Sequence, residues 1–502
     1  MDQRVEAAPE QIRTRRLEWV ITAAGLLWIA VLRLAGLTAY FRIEADEGGW
    51  PLAVRQWLED GTRTYDFYMA PGYHWLLGSA FWLLGAEHGI ARAVSAIWGL
   101  AGLWLFHRLA ARLAGPQTAW WSVLVFGSSY YAIQVYRRAL IEPYQVTLML
   151  ALGLVVVEAR RGWPWVAGLV TALLLLTKAS AIFLLPALTV ASLWPGPVRE
   201  TWRRALGVAG VLSAGLILAA AVFAWFYAGD PATFLEGWTK DMRVVNMREA
   251  GETGGEGGAA ADGGGRFALN LVSTGRTLRY FGTVDPVLLV LAALGLGRAL
   301  RTGGRHPLML AWLLAAAAFL GLQMYVAPQH RAILIVPMCF LAGWRLTEWD
   351  RGAARRLWCG GRLEVTWPRL FLVAMMALAT GRMLVADGRF ARADTGGARW
   401  LSSRTAPGEV VVAAPYVLMQ LGRIRPVSFF TLPAPFLPAP DVLAARQAAW
   451  IVVDDREWLF HMTEGGAAAA RIDGALGACC ELAHTAPGSR VYRVRPAAAP
   501  AR

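Results

Sequence analysis

Charge is what this chain has least of. Only 17% of its 502 residues are Asp, Glu, Lys or Arg, while 56% are hydrophobic, against roughly 25% charged in a soluble domain. With a mean hydropathy of +0.41, this excludes a soluble globular protein and points to an integral membrane protein. Cysteine is also scarce, at four residues. Cys339 sits in an apolar run, Cys359 in a basic loop, and Cys479 and Cys480 are adjacent, where a bond between them is strained. Neither a disulfide framework nor C-x-x-C metal spacing is present. No basic stretch stands apart from an apolar one, so nucleic acid is not expected as a partner despite the net charge of +14. That charge reads as cytoplasmic loop arginines and attraction to anionic membrane lipids.

Long apolar runs are abundant. Residues 18–38, 90–110, 118–136, 140–158, 163–177, 179–195, 205–228, 284–300, 307–326, 331–347 and 367–387 give about eleven crossing helices at roughly 20 residues each. Arg13, Arg15 and Arg16 precede the first run and no small-residue cleavage site follows, so an uncleaved first helix is expected. The run 72–85 is short, in the length class of outer-leaflet juxtamembrane helices. If it does not cross, the clusters Arg108/Arg112, Arg160/Arg161, Arg199/Arg203/Arg204, Arg298/Arg301/Arg305 and Arg351/Arg355/Arg356 all fall in cytoplasmic loops, as the positive-inside rule requires. The first outer loop (40–89) and the chain's C-terminal part then lie outside.

That outer loop carries the adjacent acids Asp46 and Glu47, then Tyr65–Asp66 and Pro71–Gly72–Tyr73–His74. Acids at a membrane exit are expensive and mark a functional site. Arg137, Arg138, Lys178, His330 and Arg331 fall on the same outer side, against the charge rule. They read either as cations tolerated near helix ends or as groups converging on a phosphate. The second is favoured because all flank apolar segments on the side of Asp46, and Arg and Lys are the usual anion ligands. A second outer loop, 230–282, holds the Gly-rich run 251–265, which reads as a flexible linker or a gating loop. From 388 to 502 the pattern changes: strands near 409–414, 449–455 and 489–494, with helices near 440–448 and 466–478, predict a small α/β domain. It has no Gly-rich phosphate loop and no nucleophile elbow. The expected architecture is thus a multi-spanning α-helical membrane domain (1–387) with a small C-terminal extracytoplasmic α/β domain.

Carboxylates, cations and an apolar groove at an outer membrane surface are the parts needed to move a sugar from a lipid phosphate to a hydroxyl. A carboxylate, Asp46 or Glu47, takes the acceptor proton. Cations such as Arg138, Lys178 and Arg331 receive the phosphate. The pattern also resembles the GT-C glycosyltransferases that use polyprenyl- or dolichyl-phosphate sugars, the group that includes protein O-mannosyltransferases and the lipid A aminoarabinose transferase. The likeness runs over about 18–350: Asp46–Glu47 in the first outer loop; Tyr65–Asp66 through Pro71–Gly72–Tyr73; Arg138-x-x-x-Glu142; Leu176–Thr177–Lys178; and His330–Arg331 with Pro337. It departs at Met69–Ala70–Pro71, where the group often carries a Lys, and at Ala179–Ser180.

The resemblance implies Asp46 as base with Glu47 beside it. It places the donor phosphate on the outer cations, Arg138, Lys178, Arg331 and His330. Glu142, Asp66, Tyr73 and His74 are the candidate substrate-binding residues, Tyr73 and His74 reading also as interfacial anchors. The implied partners are a polyprenyl-phosphate-linked sugar, membrane lipids and an envelope acceptor (a lipid, glycan or protein hydroxyl), at a plasma (inner) membrane. No obligatory cofactor or metal ion is expected, although Asp46, Glu47 and Glu142 have the oxygens for a divalent ion. The competing class is a transporter or flippase of a lipid-linked sugar. It would show discontinuous helices, midplane charges and an internal repeat.

Overall fold

The computed structural model describes residues 23–35, 37, 45–61, 71–158, 163–178, 181–182, 185, 198–226, 228, 271–303, 306–322, 328–352, 356–360, 363–390, 396–421, 424–428, 440–454, 474, 476–486 and 489–495. The Tyr65–Asp66 pair and the Gly-rich run 251–265 lie outside them, as does the Asp46 side chain, although Asp46 belongs to a described helix.

The chain is mostly helical. In order come α1 (Ala23–Leu34), α2 (Ala45–Asp60), α3 (Pro71–Leu84), α4 (His88–Ala114), α5 (Pro116–Ser128), α6 (Tyr130–Arg137), α7 (Glu142–Glu158), α8 (Trp163–Thr177), α9 (Val198–Phe226), α10 (Leu271–Val284), α11 (Pro286–Arg301), α12 (Pro307–Leu322), α13 (Ala332–Gly352) and α14 (Trp367–Phe390). Gly and Pro punctuate them. Gly115 closes α4 at a positive φ of 88° and Pro116 opens α5, while Pro286 opens α11.

Among the described residues four helical stretches are long and apolar enough to cross a membrane: His88–Ala114, Leu206–Phe226, Gln329–Arg351 and Pro368–Val385. The bent pair α6 and α7 is apolar enough to add a fifth if the two count as one broken span, the other geometry being a re-entrant loop, and Ala23–Leu34, Pro164–Thr177 and Pro307–Gly321 are shorter apolar helices. The most enclosed is α13, which packs on α5, α11 and α12. Two glycines let backbones meet there: a Cβ on Gly343 would overlap the Ser122 backbone, and one on Gly295 the Leu341 carbonyl.

The stretch expected as one helix over 118–136 is divided at Ser129. The Ser129 backbone is extended and its Oγ accepts from the Ala132 N–H, capping α6. The same hydroxyl donates to Asp285 Oδ2 at 2.6 Å, which ties the division to the start of α11. A second break, residues 138–141, turns the chain by 111° between α6 and α7. Arg138 there is extended, and Pro143, with no N–H to offer, fits only the first turn of α7.

Toward the C-terminus the chain forms a five-stranded sheet in the order β4-β3-β5-β7-β6, after a separate hairpin of β1 (Arg356–Gly360) and β2 (Leu363–Thr366). In the large sheet β3 (Val410–Ala413) runs parallel to β4 (Arg425–Ser428) and β5 (Ala448–Asp454). Antiparallel to β5 lies β7 (Ser489–Val494), which pairs antiparallel with β6 (Cys480–Ala486). The run Val410–Val411–Val412–Ala413 is buried throughout, as expected of a strand covered on both faces. The hairpin, β4 and β6 were not anticipated; of the helix expected near 466–478, residues 474 and 476–479 are described, and the ordered turn ends directly in β6.

The sheet is continuous with the helical part. Leu52, Val54, Tyr73, Leu77 and Phe81 share one apolar cluster with Val417, Leu418, Leu421 and Ile451. Above it, Arg55 Nη1 donates to the Leu421 carbonyl at 3.0 Å and Gln56 Nε2 to that of Pro426 at 3.3 Å.

Candidate active site

The site is built around the 138–141 break. On one side stands α2, whose first turn holds Asp46 and Glu47, where acids are favoured by the helix dipole. Pro51, one turn on, withholds the N–H that would bond the Glu47 carbonyl. Glu47 is fully buried. Its Oε1 accepts from Arg92 Nε at 2.6 Å and from the Ala139 N–H at 3.3 Å, and His88 Nε2 lies 3.4 Å away. Burial pushes the carboxyl up, but the Arg92 guanidinium, the His88 contacts and the field of Arg138 outweigh it, so it titrates at about 2. Arg92 also donates to the Leu37 carbonyl at 3.2 Å, anchoring the end of the first helical segment.

On the other side, Glu142 opens α7 and is buried. Lys178, directly after α8, sets its Nζ 2.5 Å from Glu142 Oε1. The second oxygen of Glu47 and that of Glu142 are both buried without a hydrogen-bond partner. A 3-10 turn, Pro328–Arg331, carries His330 and Arg331. His330 is within electrostatic reach of both Lys178 and Arg331, and the Arg331 guanidinium lies 4.3 Å over the Tyr280 ring.

Tyr73 joins the two halves. Its ring sits edge-on to Trp50 at 5.7 Å and to Tyr144 at 5.1 Å. Burial first, then Tyr144, Glu142 and Glu47, raise its phenol far above the ordinary value, so the hydroxyl stays protonated between the carboxylates. That oxygen is buried with no hydrogen-bond partner. His74, beside it, is buried against Trp57, ring centroids 6.0 Å apart. Gly72 is what lets α3 come this close: a Cβ there would lie 3.2 Å from the Leu176 carbonyl and from Thr177 Oγ1.

The structure therefore gathers Glu47, Arg138, Tyr73, Glu142, Lys178, His330 and Arg331 around one break. Arg137 goes elsewhere, donating to the Ala35 carbonyl and to Met383 Sδ. Asp66 lies outside the described residues. Sequence reasoning passed over Arg92 and His88, the partners of Glu47. The signal was an arginine inside the apolar stretch HGIARAVSAIW, which a membrane helix does not carry without cause. Among the described residues no three His, Cys, Asp or Glu side chains group as metal ligands would.

No protein-family model matches the chain, and no curated protein matches it in sequence. Solved structures do. ArnT from Cupriavidus metallidurans bound to undecaprenyl phosphate is similar at a TM-score of 0.62 and 16% identity, over 95% of this chain and 98% of that one. Its apo state gives 0.59 at 16% identity over the same shares. The oligosaccharyltransferase AglB from Archaeoglobus fulgidus, in complex with an inhibitory peptide and a dolichol-phosphate, gives 0.52 at 12%, over 96% and 74%. The fold of this chain, an integral membrane protein with a small C-terminal sheet, is the fold of these structures.

Proposed function

We propose that the protein is a membrane glycosyltransferase. It moves a sugar from a polyprenyl-phosphate-linked donor to a hydroxyl of an envelope acceptor, on the extracytoplasmic side of a bundle of about eleven crossings. The observation that carries this reading is the joining of two carboxylate–cation clusters, Glu47 with Arg92 and Glu142 with Lys178, through Tyr73 at one helix break. A neutral ligand needs no such density of cations; a phosphate leaving group does.

The reaction is a single displacement with inversion. The acceptor oxygen bonds to the sugar C1 while the bond from C1 to the phosphate oxygen breaks. Asp46 takes the acceptor proton, and the electron pair leaves on the polyprenyl phosphate. Glu47 is too acidic and too fully engaged to be a strong base. It fixes the helix turn that carries Asp46 instead. Arg138, Lys178, Arg331 and His330 receive the phosphate charge, Glu142 orients Lys178, and Tyr73, His74 and Asp66 contact the sugar or the acceptor. No divalent ion is required by this scheme.

The test is transfer of label from a polyprenyl-phosphate-linked sugar into envelope fractions, for wild type and Asp46→Asn, with donor binding measured for both. Lost transfer with retained binding supports the scheme. Unchanged transfer removes Asp46 as the base, and donor movement across the bilayer without transfer would make the protein a flippase.

A further inference from the structure

Arg33 stands in the apolar helix α1 and is fully buried. None of its three guanidinium nitrogens has a hydrogen-bond partner. Its charge lies 4.7 Å from the Tyr136 ring centroid and 5.4 Å from that of Phe126, and the two rings meet edge to face at 5.5 Å. Gly99 of α4 makes the room: a Cβ there would overlap the Tyr136 ring and stand 3.0 Å from Arg33 Nη1. An arginine does not shed its proton, and a buried charge without a partner is expensive. Aromatic faces offset only part of that. Asp285 reaches the same neighbourhood through Cys339. Its carboxylate, however, already accepts from Ser129 and two backbone N–H groups and lies in the field of Arg382.

Tyr136 links this cation to the break. It is the last residue before Arg137 and the break, its hydroxyl is buried without a partner, and it is within electrostatic reach of Arg33 on one side and Glu142 on the other. Arg137 ties the same turn to α1 through the Ala35 carbonyl. Arg33 thus stacks on the turn that leads into the break, which continues through Arg138 to Glu142 and its partner Lys178.

We infer that Arg33 is a further positioning residue for the anionic lipid donor: a buried cation stacked on Tyr136, whose charge is balanced when a lipid phosphate occupies the Arg138–Lys178 side of the break. The inference rests on the donor chemistry proposed above. It acts through the field and the Tyr136 stack, without contact with the phosphate.

The experiment uses full-length protein in lipid nanodiscs, with polyprenyl phosphate and the uncharged polyprenol as probes. Arg33→Met removes an uncompensated buried charge, so the unliganded protein melts at or above the wild-type temperature. Affinity for polyprenyl phosphate falls about tenfold, the order expected when one unit charge is withdrawn from the field at an anion site of intermediate dielectric. Polyprenol binding stays unchanged, and Arg33→Lys restores most of the phosphate affinity. A lowered melting temperature with unchanged phosphate affinity makes Arg33 structural and overturns the inference, as does equal weakening of both probes. If Arg33→Met does not fold, Arg33→Gln carries the same comparison, and failure of both to fold again makes the residue structural. A wild type that binds no polyprenyl phosphate would sink the donor reading itself, an outcome distinct from equal binding by wild type and variant.

Discussion

Replacing Arg92 by Met should turn the Glu47 anchor from an asset into a liability. Glu47 titrates at about 2 against an ordinary 4.5. At about 1.4 kcal/mol per unit this represents roughly 3 kcal/mol of preference for the charged form, of the order expected when a buried pair loses one partner. Because the folded value lies below the ordinary one, this contribution is fully present above pH 4.5 and is lost as pH falls from 4.5 through 2. Wild-type stability should therefore show no slope from Glu47 between pH 5 and 7. In Arg92→Met burial is left to dominate, the carboxyl rises above its ordinary value, and stability should instead fall as pH increases toward 7. The double variant Glu47→Leu/Arg92→Met removes the stranded charge and should recover most of the loss. Melting curves followed by tryptophan emission, which 24 Trp residues make strong, read all three proteins across pH 5–7. If the single variant is as stable as the double, or shows no slope with pH, Glu47 is not held in the way described.

The other contacts make narrower predictions. Gly72→Val puts a branched side chain 3.2 Å from the Leu176 carbonyl, displacing α3 from the turn that carries Lys178. Transfer should fall tenfold or more, as small misplacements of reacting groups do, with protein yield retained, and Gly72→Ala should lie between; steady-state transfer assays check both. Arg55→Met deletes the bond to the Leu421 carbonyl, a loss of about 1 kcal/mol, and should speed limited proteolysis within 388–502 while leaving polyprenyl-phosphate binding unchanged.

How much of this was legible in the sequence depended on the range of the signal. Helices such as α4, α9 and α13 announce themselves through uninterrupted apolar runs, because in lipid the backbone must satisfy itself within the segment. The break at Ser129 does not, because it depends on a hydroxyl reaching Asp285, 156 residues away in sequence. In the sheet, the Val410–Ala413 and Ala448–Asp454 runs read clearly, being apolar on both faces. Strand β4 contains Pro426, which argues against a strand, and β6, exposed along most of its length, offers no apolar run to find. Among site residues, Glu142, Lys178, His330 and Arg331 stood out as charges at helix ends. Arg92 and Arg33 lie within apolar helices, and their environments become visible only when α4 is packed against α2 and α6.

The 138–141 break also explains why the two clusters belong to one site. Glu47 accepts from the backbone N–H of Ala139, within the break, and Glu142 is the first residue after it, paired with Lys178. The turn carrying the proposed base and the cations proposed for the leaving phosphate are thus referred to the same four residues of backbone. A one-step displacement requires the attacking oxygen and the leaving oxygen to stand on opposite sides of C1 at the same instant. Independent loops would have to find that geometry separately. On the proposed scheme a single break, held by Arg92 and Glu47 on one side and by Lys178 and Glu142 on the other, would set it once. A substitution that straightens the 111° bend should therefore damage base and phosphate site together, and no variant confined to the bend should lose one while leaving the other intact.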